Sequence, residues 1–164
     1  MKIAAIDPSF SSTGLALVEF REDGKSRVLK HERVSASSKT VYKFGNVFKL
    51  ADELAEQIIS FAVPDVWIIE VPVLETRSGC YLGMIQQALY HRWNAPVYLV
   101  PSQAINSFSK NKQRSKTYLV NFVKSHYTKL KDRINHDEAS AIILANILYA
   151  YLQGSYKNTI VKLK

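Results

Sequence analysis

The chain has 164 residues, of which 47% are hydrophobic and 22% charged, with 6 Gly and 5 Pro; this composition predicts one globular domain over residues 1–164 and excludes disordered and fibrous classes. Its formal charge of +8 favours a polyanionic partner such as nucleic acid. The single cysteine, Cys80, excludes an internal disulfide, and no stretch is apolar enough for a signal peptide or a membrane span, so we expect a cytoplasmic protein.

Apolar periodicity and turn residues predict alternating strands and helices. Residues 2–7 and 14–20 are apolar runs joined by a turn, and a weaker strand over residues 27–34 follows the Asp23-Gly24 turn signal. The later elements are a helix over 39–61, a strand over 66–70, a helix over 80–93, a strand over 96–100, and helices over 115–127 and 136–152. This order predicts an α/β fold with a five-stranded mixed sheet, three antiparallel strands followed by two parallel ones, flanked by helices on both faces.

Acidic residues end two of the predicted strands. Asp7 follows the first apolar run and Glu70 follows the fourth, and in an α/β sheet the functional groups collect beyond the carboxyl ends of the strands. Each carboxylate could instead cap a loop or pair with a lysine. A third acid, Asp137, opens the last helix, where an acid is also an ordinary capping residue. The small and apolar residues 139–145 that follow allow this helix to lie directly on the sheet, with its first turn beside the strand ends.

Several carboxylates at one sheet edge repel one another unless a cation is bound. Hard oxygen ligands of this kind suit Mg²⁺ or Mn²⁺. Two such ions about 4 Å apart can activate water and stabilise the leaving oxygen in phosphodiester cleavage. Acids that can bind metal ions, in a basic protein that can bind phosphates, therefore predict a nuclease.

Three segments carry a resemblance to a known family: the opening strand and turn over residues 3–16, the strand Trp67-Ile68-Ile69-Glu70, and the helix start His136-Asp137-Glu138-Ala139-Ser140-Ala141. In the same order they resemble segments of the RuvC-type Holliday junction resolvases, including phage-type members, of the ribonuclease-H-like superfamily. The resemblance implies a homodimer that nicks four-way DNA junctions in pairs with Mg²⁺ or Mn²⁺, without a nucleotide cofactor or a membrane, in the cytoplasm of a bacterial or phage-infected cell.

The family's catalytic and metal-binding acids correspond by position to Asp7, Glu70 and Asp137. The fourth family acid falls on Ser140, which faces the same way as Asp137 but carries no charge. Glu138, about 100° around the helix, is an alternative ligand. His136 is either a neighbour of the helix cap or a general acid or base.

Two segments depart from the family pattern. Ser9 stands where the family usually has Gly, and Pro72 and Val73 occupy the loop in which bacterial members can place an aromatic wedge. Junction opening is then left to other residues, such as Phe10, Leu74 or Tyr81.

A basic segment precedes the helix at residue 115, with the cations Lys110, Lys112, Arg114 and Lys116. Alternating charge of this kind is usually a solvated loop. Ser115-Lys116, however, resembles a family segment in which a lysine reaches a phosphate, so we expect DNA contact here.

The helix predicted over residues 80–93 carries more apolar residues than one sheet-packing stripe requires. A fully buried helix would show the same pattern, but the resemblance implies a two-fold dimer contact at this helix.

Three other functions compete with junction resolution. A related nuclease could act on flaps, branches or RNA–DNA hybrids with the same residues. A non-catalytic DNA-structure-binding protein would fit the loss of an acid at Ser140. An actin-like or sugar-kinase ATPase also opens with an acid and a turn, but it needs two such domains.

Overall fold

The computed structural model of the protein contains a six-stranded mixed sheet and five helices. It describes residues 1–8, 12–35, 44–71, 77–113, 115–130 and 133–163. Within these ranges, the side chains of residues 44–48 and 77–82 are not described. The elements are β1 (Lys2–Asp7), β2 (Thr13–Phe20), β3 (Ser26–Val34), α1 (Phe44–Phe61), β4 (Val66–Val71), α2 (Arg77–Tyr90), β5 (Val97–Pro101), α3 (Gln103–Phe108), α4 (Lys116–His126), α5 (His136–Leu152) and β6 (Val161–Lys162). No helix in these ranges is long and apolar enough to cross a membrane.

The strands lie in the order β3-β2-β1-β4-β5-β6. β1, β2 and β3 are antiparallel neighbours, while β4 runs parallel to both β1 and β5. The predicted order of three antiparallel strands followed by two parallel ones is confirmed, as is the α/β class.

Two short elements were not predicted. β6 adds a sixth, antiparallel strand at the edge beside β5, and α3 has only six residues, so neither is long enough to show a periodic pattern. Lys162 lies in this edge strand. The helix predicted from residue 80 begins at Arg77 and ends at Tyr90, and the one predicted from residue 39 is described from Phe44.

Alternating side chains of the sheet enter two separate hydrophobic clusters, because successive residues of a strand point to opposite faces. Ile3 and Ala5 of β1 pack with α5 and α4, whereas Ala4 and Ile6 pack with α1 and α2. Helices therefore cover both faces, as predicted. α5 is the most deeply buried helix, with Ala139 and residues 141–145 at 0% exposure.

The strand register places two of the acids side by side. Ile6 of β1 lies opposite Ile69 of β4 in a parallel pair, so the next residue of each strand, Asp7 and Glu70, ends at the same edge of the sheet. On the other side of β1, Asp7 is paired with Gly14 of β2. This edge of the sheet carries the candidate site.

Candidate active site

A cleft of about 810 Å³ opens at the carboxyl ends of β1 and β4. Its walls include Asp7, Glu70, Asp137 and Ser140, so strand ends that are distant in sequence meet the first turn of α5 in one place. The cleft lies where the sheet edge of an α/β fold commonly holds its ligands.

Gly14 explains how α5 comes so close to the strands. A Cβ atom at this position would lie 2.1 Å from the carbonyl oxygen of Asp137 and 2.9 Å from the backbone nitrogen of Glu138. Only a residue without a side chain allows the helix start to rest directly on β2. Because Gly14 is the strand partner of Asp7, this contact brings Asp137 next to the Asp7 carboxylate.

The cap of α5 is formed by residues other than Asp137. The Asn135 side chain accepts a hydrogen bond from the Glu138 backbone at 2.9 Å, and the Glu138 carboxylate accepts one from the Asn135 backbone at 2.8 Å. This reciprocal pair is a capping box. Asp137 is therefore not needed as the helix cap.

Glu138 is directed to the cap and to β3. Its second carboxylate oxygen lies 3.0 Å from Nδ1 of His31, and Glu138 is not among the residues that line the cleft. Ser140, in contrast, lines the cleft and its hydroxyl is a hydrogen-bond partner of Asp7. Of the two candidates at the position of the fourth acid, the structure brings only Ser140 to the other acids.

Asp137 is 7% exposed and both of its carboxylate oxygens are engaged. One accepts a hydrogen bond from the Ser12 hydroxyl, and the other lies 2.9 Å from Nε2 of His136. His136 lines the cleft, whereas Ser12, directly before β2, is 6% exposed. The buried contact with Ser12 fixes the orientation of the Asp137 carboxylate, and the contact with His136 lies on the side of the cleft.

Asp7 and Glu70 form an acidic pair with little access to water. Burial raises the pKa of Asp7 well above its ordinary range, and the nearby charges of Glu70 and Asp137 raise it further, against the opposing hydrogen bond from Ser140. Burial raises the pKa of Glu70 from 4.5 to about 7, although its hydrogen bond with Asp7 lowers it. Two carboxylates this close cannot both ionise easily, so the pair retains a proton near neutral pH unless a cation compensates its charge.

Asp7, Glu70 and Asp137 are the candidate ligands for a metal ion in the cleft. Among the described residues, no three His, Cys, Asp or Glu side chains converge tightly enough to enclose a metal ion in their present orientations. The Asp137 carboxylate instead contacts Ser12 and His136. In chemistry, however, the cluster fits a hard divalent cation, because Asp7, Glu70 and Asp137 offer only oxygen and their mutual repulsion favours a bound positive charge.

The raised pKa of Glu70 predicts a stability effect in metal-free buffer. Between pH 4.5 and about 7 the folded protein binds more protons than the unfolded chain, so its free energy of unfolding should fall as the pH rises. Because burial still raises the pKa of Asp7, Glu70→Gln should make this slope shallower and should stabilise the protein at pH 8 in EDTA by on the order of 2 kcal/mol. Urea unfolding at pH 5 and pH 8 measures the difference, with exposed Glu32→Gln as the control. A Glu70→Gln protein with the wild-type slope would contradict the acidic pair.

The predicted basic segment lies along the same cleft. Lys110, Lys112 and Lys116 line it and are exposed, and none makes an ion pair with a described residue. Arg114 lies outside the described residues, as do Phe10 and Leu74, and the Tyr81 side chain is not described. Three cations thus face the acids across one cavity.

This segment is held in place by a buried asparagine. Asn111 is 3% exposed, and its side chain donates to the Ser115 carbonyl at 3.0 Å and accepts from the Ser115 backbone at 3.0 Å. A further bond at 3.1 Å joins it to Asn106 of α3. A loop fixed at both ends in this way presents its lysines in defined positions, unlike a freely solvated loop.

Several residues of the cleft wall were not predicted from the sequence. They are the polar residues of α3 and its flanks: Ser102, Gln103, Asn106, Ser107 and Asn111. α3 begins directly after β5, at the same sheet edge as the acids, so the strand-end rule that selected Asp7 and Glu70 also pointed here. The helix itself was not predicted, and without it these residues carried no signal.

If the cleft lysines hold phosphates, Lys116→Ala should weaken DNA binding about three- to tenfold more than Lys162→Ala, which removes an exposed cation from β6. The slope of log Kd against log salt should also become shallower by about one for Lys116→Ala. Fluorescence anisotropy with a labelled junction at several salt concentrations measures both. Equal effects of the two substitutions would show that the segment is only a solvated surface.

The proposed dimer helix α2 is less exposed than its composition suggested. Ile85, Leu89 and Trp93 are buried in the cluster with α1, and Met84 and Ala88 are partly buried against it. Tyr90, 45% exposed, is the large apolar residue that this part of the helix leaves open among its described side chains. Much of the apparent surplus is therefore core packing.

No protein-family model and no curated protein sequence matches this chain. Its fold is similar to that of RuvC from Thermus thermophilus, including a structure in complex with a Holliday junction substrate, with a TM-score of 0.65, 18% identity, and coverage of 96% of this chain and 99% of that chain. The yeast mitochondrial Holliday junction resolvase matches with a TM-score of 0.61 and 12% identity, over 87% of this chain and 76% of that one. The fowlpox virus Holliday junction resolvase matches with a TM-score of 0.59 and 12% identity, over 94% and 99%. Over nearly its whole length, the chain therefore has the ribonuclease-H-like fold of RuvC and other Holliday junction resolvases.

Proposed function

We propose that this protein is a metal-dependent DNA endonuclease that resolves four-way junctions by paired phosphodiester cleavage. The observation that carries the proposal is the composition of one cleft, in which Asp7, Glu70 and Asp137 face three exposed lysines. A phosphodiester nuclease needs both parts, because cations hold the phosphate backbone and acids hold the catalytic ions.

Each residue has a distinct task in this proposal. Lys110, Lys112 and Lys116 bind the phosphates that flank the scissile bond and hold the strand against the sheet edge. Asp7, Glu70 and Asp137 would hold Mg²⁺ or Mn²⁺, with room for two ions as the family resemblance implies; when bound, these ions supply an activated water and stabilise the leaving oxygen. Asp7 and Glu70 would release their shared proton on binding the cation.

Two contacts limit the mobility of the site. Ser12 fixes one oxygen of Asp137 from the protein interior, and Ser140 orients Asp7 without adding charge. His136 would exchange its contact with Asp137 for one with the substrate or a water molecule. With a serine in place of a fourth carboxylate, the site carries less negative charge, so a second ion would bind more weakly than the first.

A four-way junction is proposed as the substrate because the similar solved structures are Holliday junction resolvases, and the RuvC structure includes such a junction. The test is incubation with a synthetic four-way junction, a replication fork, a flap, an RNA–DNA hybrid and a linear duplex, with and without Mg²⁺ or Mn²⁺. Preferred, metal-dependent cleavage of the junction is expected. Preference for the flap, fork or hybrid would assign a related nuclease, and junction binding without cleavage would assign a structure-binding protein that lost activity with the acid at Ser140.

Paired cleavage requires two sites in one complex, so we propose a homodimer through α2. Met84→Glu should give a folded monomer that binds DNA and loses paired incision. Because Met84 is partly buried against the core, exposed Tyr90→Glu is the second variant, and circular dichroism monitors folding of both. Sedimentation measures the assembly. A wild-type protein that remains monomeric at micromolar concentration, both free and on a junction, would remove the geometric basis of paired cleavage.

A further inference from the structure

Three neighbouring cavities lie along α4, the first of them the acidic cleft, and we call this row the α4 groove. The cleft shares Lys110 with a second cavity of about 370 Å³, which in turn shares His126 and Tyr127 with a third cavity of about 640 Å³. Lys116, the first residue of α4, lines the cleft, and His126, its last residue, lines the third cavity. The groove therefore follows the whole helix, whose 11 residues span about 16 Å.

The middle of the groove is aromatic. Tyr118, Phe122 and His126 follow one another at four-residue spacing on α4, and we call them the α4 aromatic face. The Tyr118 and Phe122 rings lie 6.5 Å apart at 25°, and the Phe122 and His126 rings 4.2 Å apart at 33°. The outer rings are open, with Tyr118 41% exposed, and the Tyr118 hydroxyl donates to the Ser109 carbonyl at 2.9 Å. Because Phe122 is half-buried between its two neighbours, the rings left for a planar base to stack on are those of Tyr118 and His126, one at each end of the row.

The far end of the groove is basic. Arg21, Lys25, Arg27 and Lys129 line the third cavity, together with His126. The two arginines pair with Glu19 and Lys25 pairs with Asp23, but these are exposed surface pairs, which are weak and exchange readily. Lys129 has no ion-pair partner among the described residues. Four cations against two acids leave a net positive surface that complements phosphate.

The order of cations at the cleft, aromatic rings along α4 and cations at the far end fits one strand of DNA better than a duplex. In a duplex the base faces are stacked on one another, so the rings would contact only the backbone, whereas an unpaired strand offers its bases to the rings and its phosphates to the lysines and arginines. We propose that the α4 groove binds an unpaired DNA strand that leaves the cleft, with bases on the α4 aromatic face and phosphates at Arg21, Lys25, Arg27 and Lys129. The inference rests on the proposed function for the placement of the scissile phosphate in the cleft.

The test measures the affinity of the protein for two DNA molecules of equal total length by fluorescence anisotropy in EDTA. One is a duplex that carries a single-stranded tail of about ten nucleotides, and the other is a blunt duplex. The wild-type protein should bind the tailed DNA at least about fivefold more tightly. The double variant Tyr118→Ala, His126→Ala should lose this preference, while Tyr118→Phe, which keeps the ring and loses only the bond to Ser109, should keep it. Lys129→Ala should weaken binding of the tailed DNA more than Lys49→Ala, an exposed lysine on α1 at the other face of the sheet.

Equal affinity of the wild-type protein for tailed and blunt DNA would overturn the inference. An unchanged preference in a folded Tyr118→Ala, His126→Ala protein would do the same. Because the assay contains no metal and scores no cleavage, its outcome is separate from that of the proposed activity. If the protein cleaves no substrate but the double variant loses the tail preference, the groove inference is supported and the nuclease proposal is rejected. If the protein cleaves junctions but shows no tail preference, only the groove inference is rejected.

Discussion

Asp7→Asn, Glu70→Gln and Asp137→Asn are each expected to lower the rate of junction cleavage by at least about 100-fold while leaving junction binding within about threefold of wild type. In the proposed mechanism, each change removes a carboxylate that would bind a metal ion, without removing bulk, and it leaves the three cleft lysines in place. Single-turnover cleavage of a labelled junction in Mg²⁺ gives the rate, and anisotropy in EDTA gives the binding.

Glu138→Gln is the matched control for these acids. It lies next to Asp137 on the same helix turn, but its carboxylate serves the cap and His31. Gln keeps the acceptor oxygen that the capping box needs, so the variant should fold with close to wild-type stability and cleave at close to the wild-type rate. Near-normal cleavage by Asp7→Asn, or loss of cleavage in a well-folded Glu138→Gln protein, would mean that the acids have been assigned to the wrong roles.

Gly14→Ala is expected to destabilise the protein by about 3 kcal/mol and to reduce cleavage strongly. Its Cβ atom would lie 2.1 Å from the Asp137 carbonyl oxygen, so α5 must move away from β2 and carry Asp137 with it. The three atoms nearest to this Cβ are all backbone atoms, so no flexible side chain can move to relieve the contact. Urea unfolding gives the stability, and the single-turnover assay gives the activity.

Gly83→Ala is the control for this substitution. A Cβ atom at Gly83 meets nothing within 4 Å, and the residue lies inside α2, where Ala is the better helix former by up to about 1 kcal/mol. Its effect on the free energy of unfolding should therefore be neutral or stabilising. If Gly14→Ala folds as stably as wild type and cleaves normally, the close approach of α5 to β2 does not position Asp137.

The sheet and the main helices were predictable from sequence because their signals are local. The apolar runs that end at Asp7 and Glu70 identified both strands and placed both acids at one edge, and the small residues of α5 indicated that this helix lies on the sheet. β6 and α3 were not predictable, since two and six residues are too few for a periodic pattern.

The detailed site depends on contacts between distant segments, which spacing does not reveal. The capping box of Asn135 and Glu138 is a local pattern, but the contact between Glu138 and His31 of β3 joins residues 107 positions apart. The bond from Ser12 to Asp137 joins residues 125 positions apart. Tyr118, Phe122 and His126 show a helical spacing that fits a core stripe equally well, and only the structure shows that Tyr118 and His126 are exposed while Phe122 packs partly against the core.

The most direct measurement is cleavage of a four-way junction by purified wild-type protein beside Asp7→Asn protein prepared in the same way, in Mg²⁺, in Mn²⁺ and in EDTA. Labels on two opposing strands report whether both are cut in one complex. The proposed function predicts paired cuts by the wild-type protein with either metal, none in EDTA and none by Asp7→Asn. Cleavage that persists in EDTA or in the Asp7→Asn protein, or a wild-type protein that leaves the junction intact with both metals, would contradict a metal-dependent nuclease at this cleft.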